Sequence, residues 1–352
     1  MVCKKISFWV PIFIGLLTAS SVCAKEEFRP GETWLDLNSN PIQAHGGGIL
    51  VRSNSFYWYG EERTLGRRGV VACYSSTNLY DWKREGVALS AADLPRVNGR
   101  GTFVERPKVI FNSHTKKFVM WMHLEQGGYR FSRAGVAISD NPAGPFRFIQ
   151  AIRPIANTND FASLSEDPEN ERTFGGTFRD MNIFEDDDGK AYAFYSSDGN
   201  WTMYVVRLND EFTGPEVPAI ENKTWAKILK HRMREGPAPF KWNGKYYLIT
   251  SACTGWTPNA ADYAVADDIL GPYESHGNPC VGDNRDRTFD SQSTFVLGVP
   301  GKPGEFIFMA DRWNPRNLGD SRYIWLPFKI ETNGTFSFQW HDIWNFSDSW
   351  YQ

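Results

Sequence analysis

The feature that most constrains this chain is a weak internal repeat with five copies. Each copy opens with a polar or charged cluster that leads into an apolar strand, and a turn and an aromatic-rich second strand follow. Repeats of this kind predict one small unit of supersecondary structure that is used several times in the fold. The copies are His45–Leu50 with Phe56–Tyr59, Glu105–Ile110 with Phe118–Trp121, Arg179–Phe184 with Ala191–Tyr195, Glu235–Phe240 with Tyr246–Ile249, and Ser291–Val296 with Phe306–Met309.

The turns within and after these strand pairs predict antiparallel sheets. Asp188-Gly189 and Asn243-Gly244 are dipeptides that accept the positive φ angles of tight hairpins. Four copies carry a further turn at corresponding places, in residues 78–82, 141–146, 212–215 and 269–273. Units of four strands and roughly 55 to 75 residues are typical of propeller blades with long loops. We therefore predict an all-β fold, a five-bladed β-propeller. Whether the N-terminal or the C-terminal segment closes the ring stays open.

A propeller brings the first strand of every blade to a central channel, and its binding site is formed by the ends of these strands. The residues that open the five copies would therefore converge there: His45, Glu105, Asp180, Glu235 and Gln292. They could simply be caps at the starts of strands. However, three of the five are carboxylates, and burying carboxylates close together costs free energy unless a function maintains them. The pattern thus favours a functional pocket.

The first 24 residues have the pattern of a secretory signal peptide. Lys4 and Lys5 precede the apolar stretch Phe8–Leu17, and small residues lead to Ala24. The stretch is shorter than the about 20 residues of a membrane-spanning helix. We expect cleavage after Ala24, a secreted or periplasmic location without a membrane span, and one domain over residues 25–352. The alternative, a lipoprotein acylated at Cys23, is disfavoured by the preceding Val22.

Charge and cysteine content bear on the classes of partner. A formal net charge of -3 without a basic stripe argues against nucleic acid. Outside the signal peptide the chain retains Cys73, Cys253 and Cys280, so at least one thiol stays free. If a disulfide forms in an oxidising compartment, Cys253 and Cys280 are the pair closest in sequence. The absence of a Cys/His cluster in the sequence argues against a structural zinc site.

Six short motifs, in their order and spacing, resemble glycoside hydrolase family 43 and, within it, the exo-β-1,3-galactanase subgroup. The resemblance implies a catalytic domain that acts on polysaccharide ends, a galactan 1,3-β-galactosidase that releases galactose from β-1,3-galactan, the arabinogalactan backbone, by an inverting mechanism. A monomer is expected. The motifs are Ile42–Ile49, Val104–Lys108, Phe178–Asn182, Arg234–Pro237, Asp290–Phe295 and Asp311–Pro315.

The resemblance also implies roles for individual residues. The family uses an aspartate base on the first blade, an aspartate that tunes the acid on the third, and a glutamate acid on the fourth; Asp180 and Glu235 fill the last two positions. His45 stands in place of the first aspartate, a departure characteristic of the galactanase subgroup, in which a glutamine, here Gln292, takes over from the base. Substrate contacts are implied for Glu105, Glu61, His45, Asn200, Thr254, Trp313 and, as a stacking platform, Tyr129.

Glycoside hydrolysis needs a protonated acid on the leaving oxygen and a group that activates water on the opposite face. We expect repulsion from Asp180 to raise the pKa of Glu235, aided by partial desolvation. Gln292 is a poor proton acceptor, so it acts either as an imidic tautomer or by positioning water. In an inverting enzyme the two groups should lie roughly 6.5–9.5 Å apart.

No cofactor or metal is expected. A channel histidine sometimes accompanies calcium in the family, which keeps calcium open as an alternative, but calcium prefers several oxygen ligands. The acidic run Glu185–Gly189 lies on a hairpin turn and lacks the ligand spacing of a calcium loop.

Two other functions compete with the galactanase. An α-L-arabinofuranosidase or β-xylosidase of the same family is disfavoured by the missing first-blade aspartate. A noncatalytic carbohydrate-binding propeller is supported by that same absence, whereas the retention of Glu235 together with Asp180 argues for an enzyme.

Overall fold

Five antiparallel sheets, one for each sequence repeat, form the body of the molecule. The computed structural model describes residues 26–64, 69–97, 99–129, 131–155 and 176–348, so the predicted signal peptide, residues 1–24, lies outside the described residues. The predicted five-bladed β-propeller is confirmed.

The first two blades contain four strands each, with a small hairpin between them. The first blade is formed by β1 (His45–Arg52), β2 (Ser55–Glu61), β3 (Val71–Ser76) and β4 (Lys83–Leu89), and the hairpin by β5 (Arg96–Val97) and β6 (Arg100–Gly101). The second blade is formed by β7 (Phe103–Asn112), β8 (Lys117–Glu125), β9 (Arg133–Ser139) and β10 (Arg147–Ile152).

The third and fourth blades repeat this arrangement. The third contains β11 (Met181–Glu185), β12 (Ala191–Ser197), β13 (Thr202–Arg207) and β14 (Trp225–Ile228), and the fourth contains β15 (Arg234–Trp242), β16 (Lys245–Ala252), β17 (Asp262–Ala266) and β18 (Glu274–Gly277). In all four blades the turn motifs recognised in the sequence connect the third strand to the fourth. Short 3-10 helices cover Ala91–Asp93, Asp198–Asn200, Arg285–Asp290 and Leu318–Asp320.

The fifth blade departs from the expected four strands. After β19 (Cys280–Val281) it contains only β20 (Gln292–Gly298), β21 (Glu305–Arg312) and β22 (Arg322–Lys329). The next segment, β23 (Phe338–Gln339), pairs in parallel with β19 and not with β22. Its Phe338 ring nevertheless stacks on Phe308 of the blade, with centroids 4.4 Å apart. Side-chain packing therefore joins β23 to the fifth blade without strand pairing.

Both terminal segments close the ring. Five buried apolar clusters fill the spaces between neighbouring blades, and the one between the fifth and first blades includes Phe28 and Trp344. Phe28 donates a backbone hydrogen bond to Trp344 at 2.7 Å and accepts one from it at 3.1 Å. Their rings stack at 4.1 Å. The closure is thus a packed aromatic contact between the two ends, and each blade keeps its own strands.

The innermost strands carry bulges close to their openings. In the first, second and fourth blades the strand gains one residue relative to its partner directly after His45, Glu105 and Glu235, and in the fifth blade after Ser293. A bulge bends its strand and re-aims the neighbouring side chain. The bulged residues Gly46, Arg106 and Gly236 have φ angles of 58°, 51° and 62°.

The structure settles two smaller points. Cys73, Cys253 and Cys280 are all free, so the Cys253–Cys280 disulfide is not formed. Cys280 is buried between the fourth and fifth blades, while Cys253 lines the pocket described below.

Among the described residues, none of the helices has the length and apolar character required to cross a membrane.

Candidate active site

The openings of the inner strands meet at a pocket of about 320 Å³. Every blade contributes to its wall. Of the ten site residues predicted from the sequence, eight line it: Glu61, Glu105, Tyr129, Asp180, Asn200, Glu235, Gln292 and Trp313.

Glu235 lies in the wall with both carboxyl oxygens near side-chain amides. Gln292 Nε2 is 2.9 Å from its Oε1, and Asn200 Nδ2 is 3.3 Å from its Oε2. Burial, and after it the charge of Asp180, raises the pKa of Glu235 to about 8. The pKa of Glu235 is raised, as expected, but burial contributes more to this rise than repulsion from Asp180 does. At neutral pH this carboxyl holds a proton that it can donate.

The Gln292 side chain makes four polar contacts. Its oxygen accepts from Arg106 at 2.5 Å and from the Trp313 indole at 3.0 Å, and its nitrogen donates to Glu235 and to Ser251 Oγ at 2.9 Å each. Arginine and tryptophan only donate, which fixes the atom that faces them as the oxygen. An imidic tautomer would direct a hydroxyl at these two donors. The contacts therefore favour the ordinary amide.

The position of Gln292 differs from the expected one. Its amide touches Glu235, whereas an acid and a water-activating group of an inverting enzyme should lie roughly 6.5–9.5 Å apart. The fourth and fifth blades are neighbours, and their inner strands both bulge near the opening, which brings the two side chains together. In this arrangement Gln292 lies beside the acid and not across the pocket from it.

Arg106, which sequence reasoning missed, contacts two of the predicted catalytic residues, Asp180 and Gln292. Its Nε is 2.8 Å from Asp180 Oδ2, a second guanidinium nitrogen bonds to Gln292, and a third donates to the Ser293 carbonyl at 2.9 Å. Its backbone N–H donates to Glu61 at 2.7 Å. A φ of 51° is uncommon for a residue with a side chain and marks a position held by its surroundings. Arg106 thus links four blades at the pocket floor.

The opposite wall is formed around Glu105. Its Oε2 lies 3.0 Å from His123 Nδ1, and the Tyr129 hydroxyl donates to its Oε1 at 3.0 Å. Although burial opposes ionisation, the hydrogen bond and the charge of His123 lower the pKa of Glu105 to about 2. This carboxylate stays ionised and is a strong acceptor for hydroxyl groups.

His123 lies between two carboxylates. Its Nε2 is 3.2 Å from Glu125, which also accepts from three backbone N–H groups of the loop that carries Tyr129. Burial disfavours the charged ring, but the hydrogen bonds to Glu105 and Glu125 outweigh it and raise the pKa of His123 to about 9. His123 is therefore an imidazolium ion that connects this loop to the pocket wall.

Glu105, His123 and Asp180 are close enough to be considered as a metal site, with ligand atoms within 4.8 Å of one another. A protonated imidazole offers no lone pair to a metal. The Asp180 carboxylate already forms a salt bridge with Arg106. In the channel, the buried amine of Lys108 donates to the Gly46 carbonyl at 2.7 Å. These residues do not fit calcium, which prefers six to eight oxygen ligands.

Two predicted site residues do not line the pocket. His45 is completely buried beneath it, where Nδ1 lies 3.2 Å from Asp311 and the ring stacks on Tyr323 at 5.1 Å. The Thr254 hydroxyl bonds within its own loop, to the Thr257 carbonyl at 2.5 Å. His45 thus lies below the pocket, and Thr254 lies in a pocket-side loop between the lining residues Cys253 and Gly255.

The pocket wall also contains residues that sequence reasoning missed. They are Arg63, Arg106, His123, Arg179, Cys253, Gly255 and Trp256. His123 pairs directly with Glu105 across the hairpin, as Ser251 pairs with Glu235 and Asp311 with Gln292. The bulge that sets this register carries no signal in the sequence.

Comparisons with known proteins agree with this geometry. A sequence model described as glycosyl hydrolases family 43 matches residues 40–295. A curated relative, the β-D-galactofuranosidase of Aspergillus niger, is 24% identical over 222 residues, which are 59% of this chain and 58% of that protein. The chain thus spans little more than half of this relative.

Similar solved structures cover most of the chain. A family 43 β-1,3-galactosidase determined with galactodeoxynojirimycin is 41% identical, has a TM-score of 0.81, and matches 91% of this chain and all of its own. An exo-β-1,3-galactanase from Clostridium thermocellum is 34% identical with a TM-score of 0.79, and one from Phanerochaete chrysosporium with β-1,3-galactotriose is 31% identical with a TM-score of 0.76. Each matches 91% of this chain, and 66% and 68% of its own chain respectively.

Proposed function

The chain belongs to glycosyl hydrolases family 43, and from this premise we propose that it is an exo-acting galactan 1,3-β-galactosidase. It would release galactose from the end of β-1,3-galactan, the backbone of arabinogalactan, with inversion at the anomeric carbon. The observation that carries this proposal is Glu235, a half-buried acid in the pocket wall with a pKa of about 8 beside Asp180. The similarity to solved β-1,3-galactosidases and galactanases suggests the sugar and the linkage.

In the proposed reaction Glu235 donates its proton to the oxygen between the terminal galactose and the next sugar. The bond from that oxygen to the anomeric carbon breaks while water adds to the opposite face and releases a proton to solvent, and the Glu235 carboxylate left by the first transfer then takes up a proton from solvent. Asp180, bound to Arg106 and to the backbone N–H of Gly236 at 3.0 Å, keeps Glu235 protonated until substrate arrives. Gln292 holds the acid in place, and its hydrogen bonds support a positioning role and not that of a base.

The Glu105 wall would hold the terminal galactose. The Glu105 carboxylate and the Tyr129 hydroxyl are fixed against each other, and Arg63 lies 3.8 Å from Glu105. Charged groups arranged in this way bind the hydroxyls of one sugar with defined geometry. A pocket of about 320 Å³ is small among ligand sites, which supports removal of single terminal units.

We further propose that residues 1–24 direct export to a secreted or periplasmic location and that residues 25–352 form a monomeric catalytic domain. Metal-free catalysis belongs to the same proposal, since both ring nitrogens of His123 contact carboxylates and Arg106 is bound to Asp180. Dialysis against EDTA should leave activity unchanged, and a loss restored by calcium would contradict this part.

The test is release of sugar from β-1,3-galactan by the purified chain, with Glu235→Gln and Gln292→Ala beside it and the anomer followed by NMR. We expect α-galactose from the wild type and none from Glu235→Gln. Matched assays with arabinofuranosides, xylosides and galactofuranosides test the other activities. Sugar binding without hydrolysis of any of them would indicate a noncatalytic binding propeller.

A further inference from the structure

Three exposed aromatic side chains occupy the same place in three consecutive blades. Tyr129, Trp201 and Trp256 lie in the connections from the second strand to the third in the second, third and fourth blades. Their exposures are 41%, 44% and 51%, and no other Phe, Tyr or Trp within the described residues is an exposed one. In an antiparallel blade these connections are on the face where the inner strand opens, which is the face of the pocket.

The two tryptophans lie in pocket-face loops of the third and fourth blades, and Glu235 opens the fourth blade. Trp201 directly follows Asn200, whose side chain is 3.3 Å from Glu235. Trp256 lines the pocket together with Cys253 of the same loop. Because Glu235 must reach the oxygen of the cleaved bond, the remainder of the polysaccharide leaves the pocket on this side. Tyr129, in contrast, is bound to Glu105 on the wall assigned to the terminal sugar.

Each indole has an aromatic neighbour. Trp256 makes an edge contact with Trp313, with ring centroids 5.8 Å apart and planes at 71°, and Trp201 makes one with His231 at 6.0 Å and 88°. The Trp256 loop is braced by Asn259, whose side chain bonds to the backbone of Ala252 at 2.9 and 3.0 Å. An edge contact covers at most one face of a ring. Each indole therefore keeps a face for a ligand and loses little conformational freedom on binding.

We propose that Trp201 and Trp256 form a binding site for the galactosyl units on the reducing side of the cleaved bond. The inference rests on the proposed function, and it assigns the leaving part of the substrate to a second site outside the sugar pocket. The apolar C–H face of a pyranose suits an indole face, because both are flat and stacking removes apolar surface from water. The site favours polymer over short substrates without affecting proton transfer by Glu235.

The test compares two substrates of the purified chain. β-1,3-Galactotetraose carries sugars on the reducing side, and β-galactosyl fluoride carries none. For Trp201→Ala and Trp256→Ala we expect the ratio of kcat/KM on the tetraose to that on the fluoride to fall about tenfold each, as the loss of one stacked ring face implies. Trp201→Phe and Trp256→Phe should restore most of the ratio. Leu37→Ala, an exposed apolar residue that does not line the pocket, should leave it unchanged.

Equal losses on both substrates would overturn the inference, because they would show an indirect effect on the acid or on Gln292 through Trp313. An unchanged ratio in both alanine variants would also overturn it, while activity of the wild type on the tetraose would leave the proposed function standing. A wild-type chain that hydrolyses the fluoride but no galactan would overturn the proposed function and this inference together.

Discussion

The side-chain nitrogen of Gln292 lies 2.9 Å from Oε1 of Glu235, so a neutral amide directly contacts the acid of the site. Replacing Gln292 with glutamate would put a second carboxyl at this contact. Two carboxyls in one site repel, and one of them then holds its proton to higher pH. For Gln292→Glu we expect kcat at neutral pH to fall about tenfold, as for loss of a hydrogen bond between neutral groups, and the alkaline limb of the pH–rate profile to move to higher pH.

The matched control for this variant is Ser251→Ala, which removes the other acceptor of the same amide nitrogen. This variant should lower kcat by less than about fivefold, as expected for loss of a neutral hydrogen bond. The alkaline limb of its pH–rate profile should stay where it is in the wild type. If Gln292→Glu were faster than the wild type, Gln292 would act as a base and the positioning role would be wrong.

Asp180→Asn should shift the alkaline limb of kcat in the other direction. Burial raises the pKa of Glu235 first and the charge of Asp180 second. Removal of that charge lowers the pKa, so Glu235 loses its proton, and the enzyme its activity, at lower pH than in the wild type. Because Glu235 stays desolvated in this variant, the midpoint of the alkaline limb should remain above the ordinary pKa of a glutamate. A pH–rate profile that coincides with that of the wild type would exclude Asp180 as the modulator.

Arg106→Gly should lower kcat/KM by about 100-fold, because it removes charge-assisted hydrogen bonds to Asp180 and Gln292. Glycine adopts the φ of 51° without strain, so the backbone bulge is preserved. Guanidinium ion at millimolar concentration should restore part of the activity. Arg106→Lys keeps the charge but not the planar fork and serves as the comparison. A variant that is unfolded, or active without guanidinium, would refute the positioning role of Arg106.

The charge of His123 predicts a pH dependence of stability. The pKa of this group is raised on folding from 6.5 to about 9. Its contribution to stability is complete below pH 6.5 and is lost as the pH rises through 9. We expect the unfolding temperature to fall over this range, and less steeply in His123→Gln. Since Glu235 deprotonates in the same range, both proteins should be measured in a Glu235→Gln background. If the unfolding temperatures of the two proteins fell equally with pH, His123 would not be charged in the folded state.

The sequence predicted the blades and the residues that open them because both follow from short-range pattern. Each copy of the repeat begins at its inner strand, and this is sufficient to place Glu105, Asp180, Glu235 and Gln292 at one pocket. The fifth blade was different: nothing in the residues around Phe338 shows that their backbone pairs with Cys280–Val281 and not with the edge of the blade.

Contacts across strands and between blades were beyond sequence reasoning. His123 reaches Glu105 through the register of a hairpin that contains a bulge, and one extra residue changes which side chains are opposite. Arg106 stood in the motif next to Glu105, but its direction depends on a positive φ that the sequence does not reveal. The dominance of burial in the pKa of Glu235 likewise requires the packed structure.

The bulges lie between the residues that open the inner strands and the regular part of each sheet. Regular pairing resumes within two residues of each bulge, so an opening residue can differ between blades while the hydrophobic core of the blade stays intact. His45 shows that the choice of an opening residue can nevertheless depend on a neighbouring blade. Its ring lies 3.2 Å from the buried Asp311, so an aspartate at this position would put two buried carboxylates in contact. A single His45→Asp substitution would therefore destabilise this region unless position 311 changed as well.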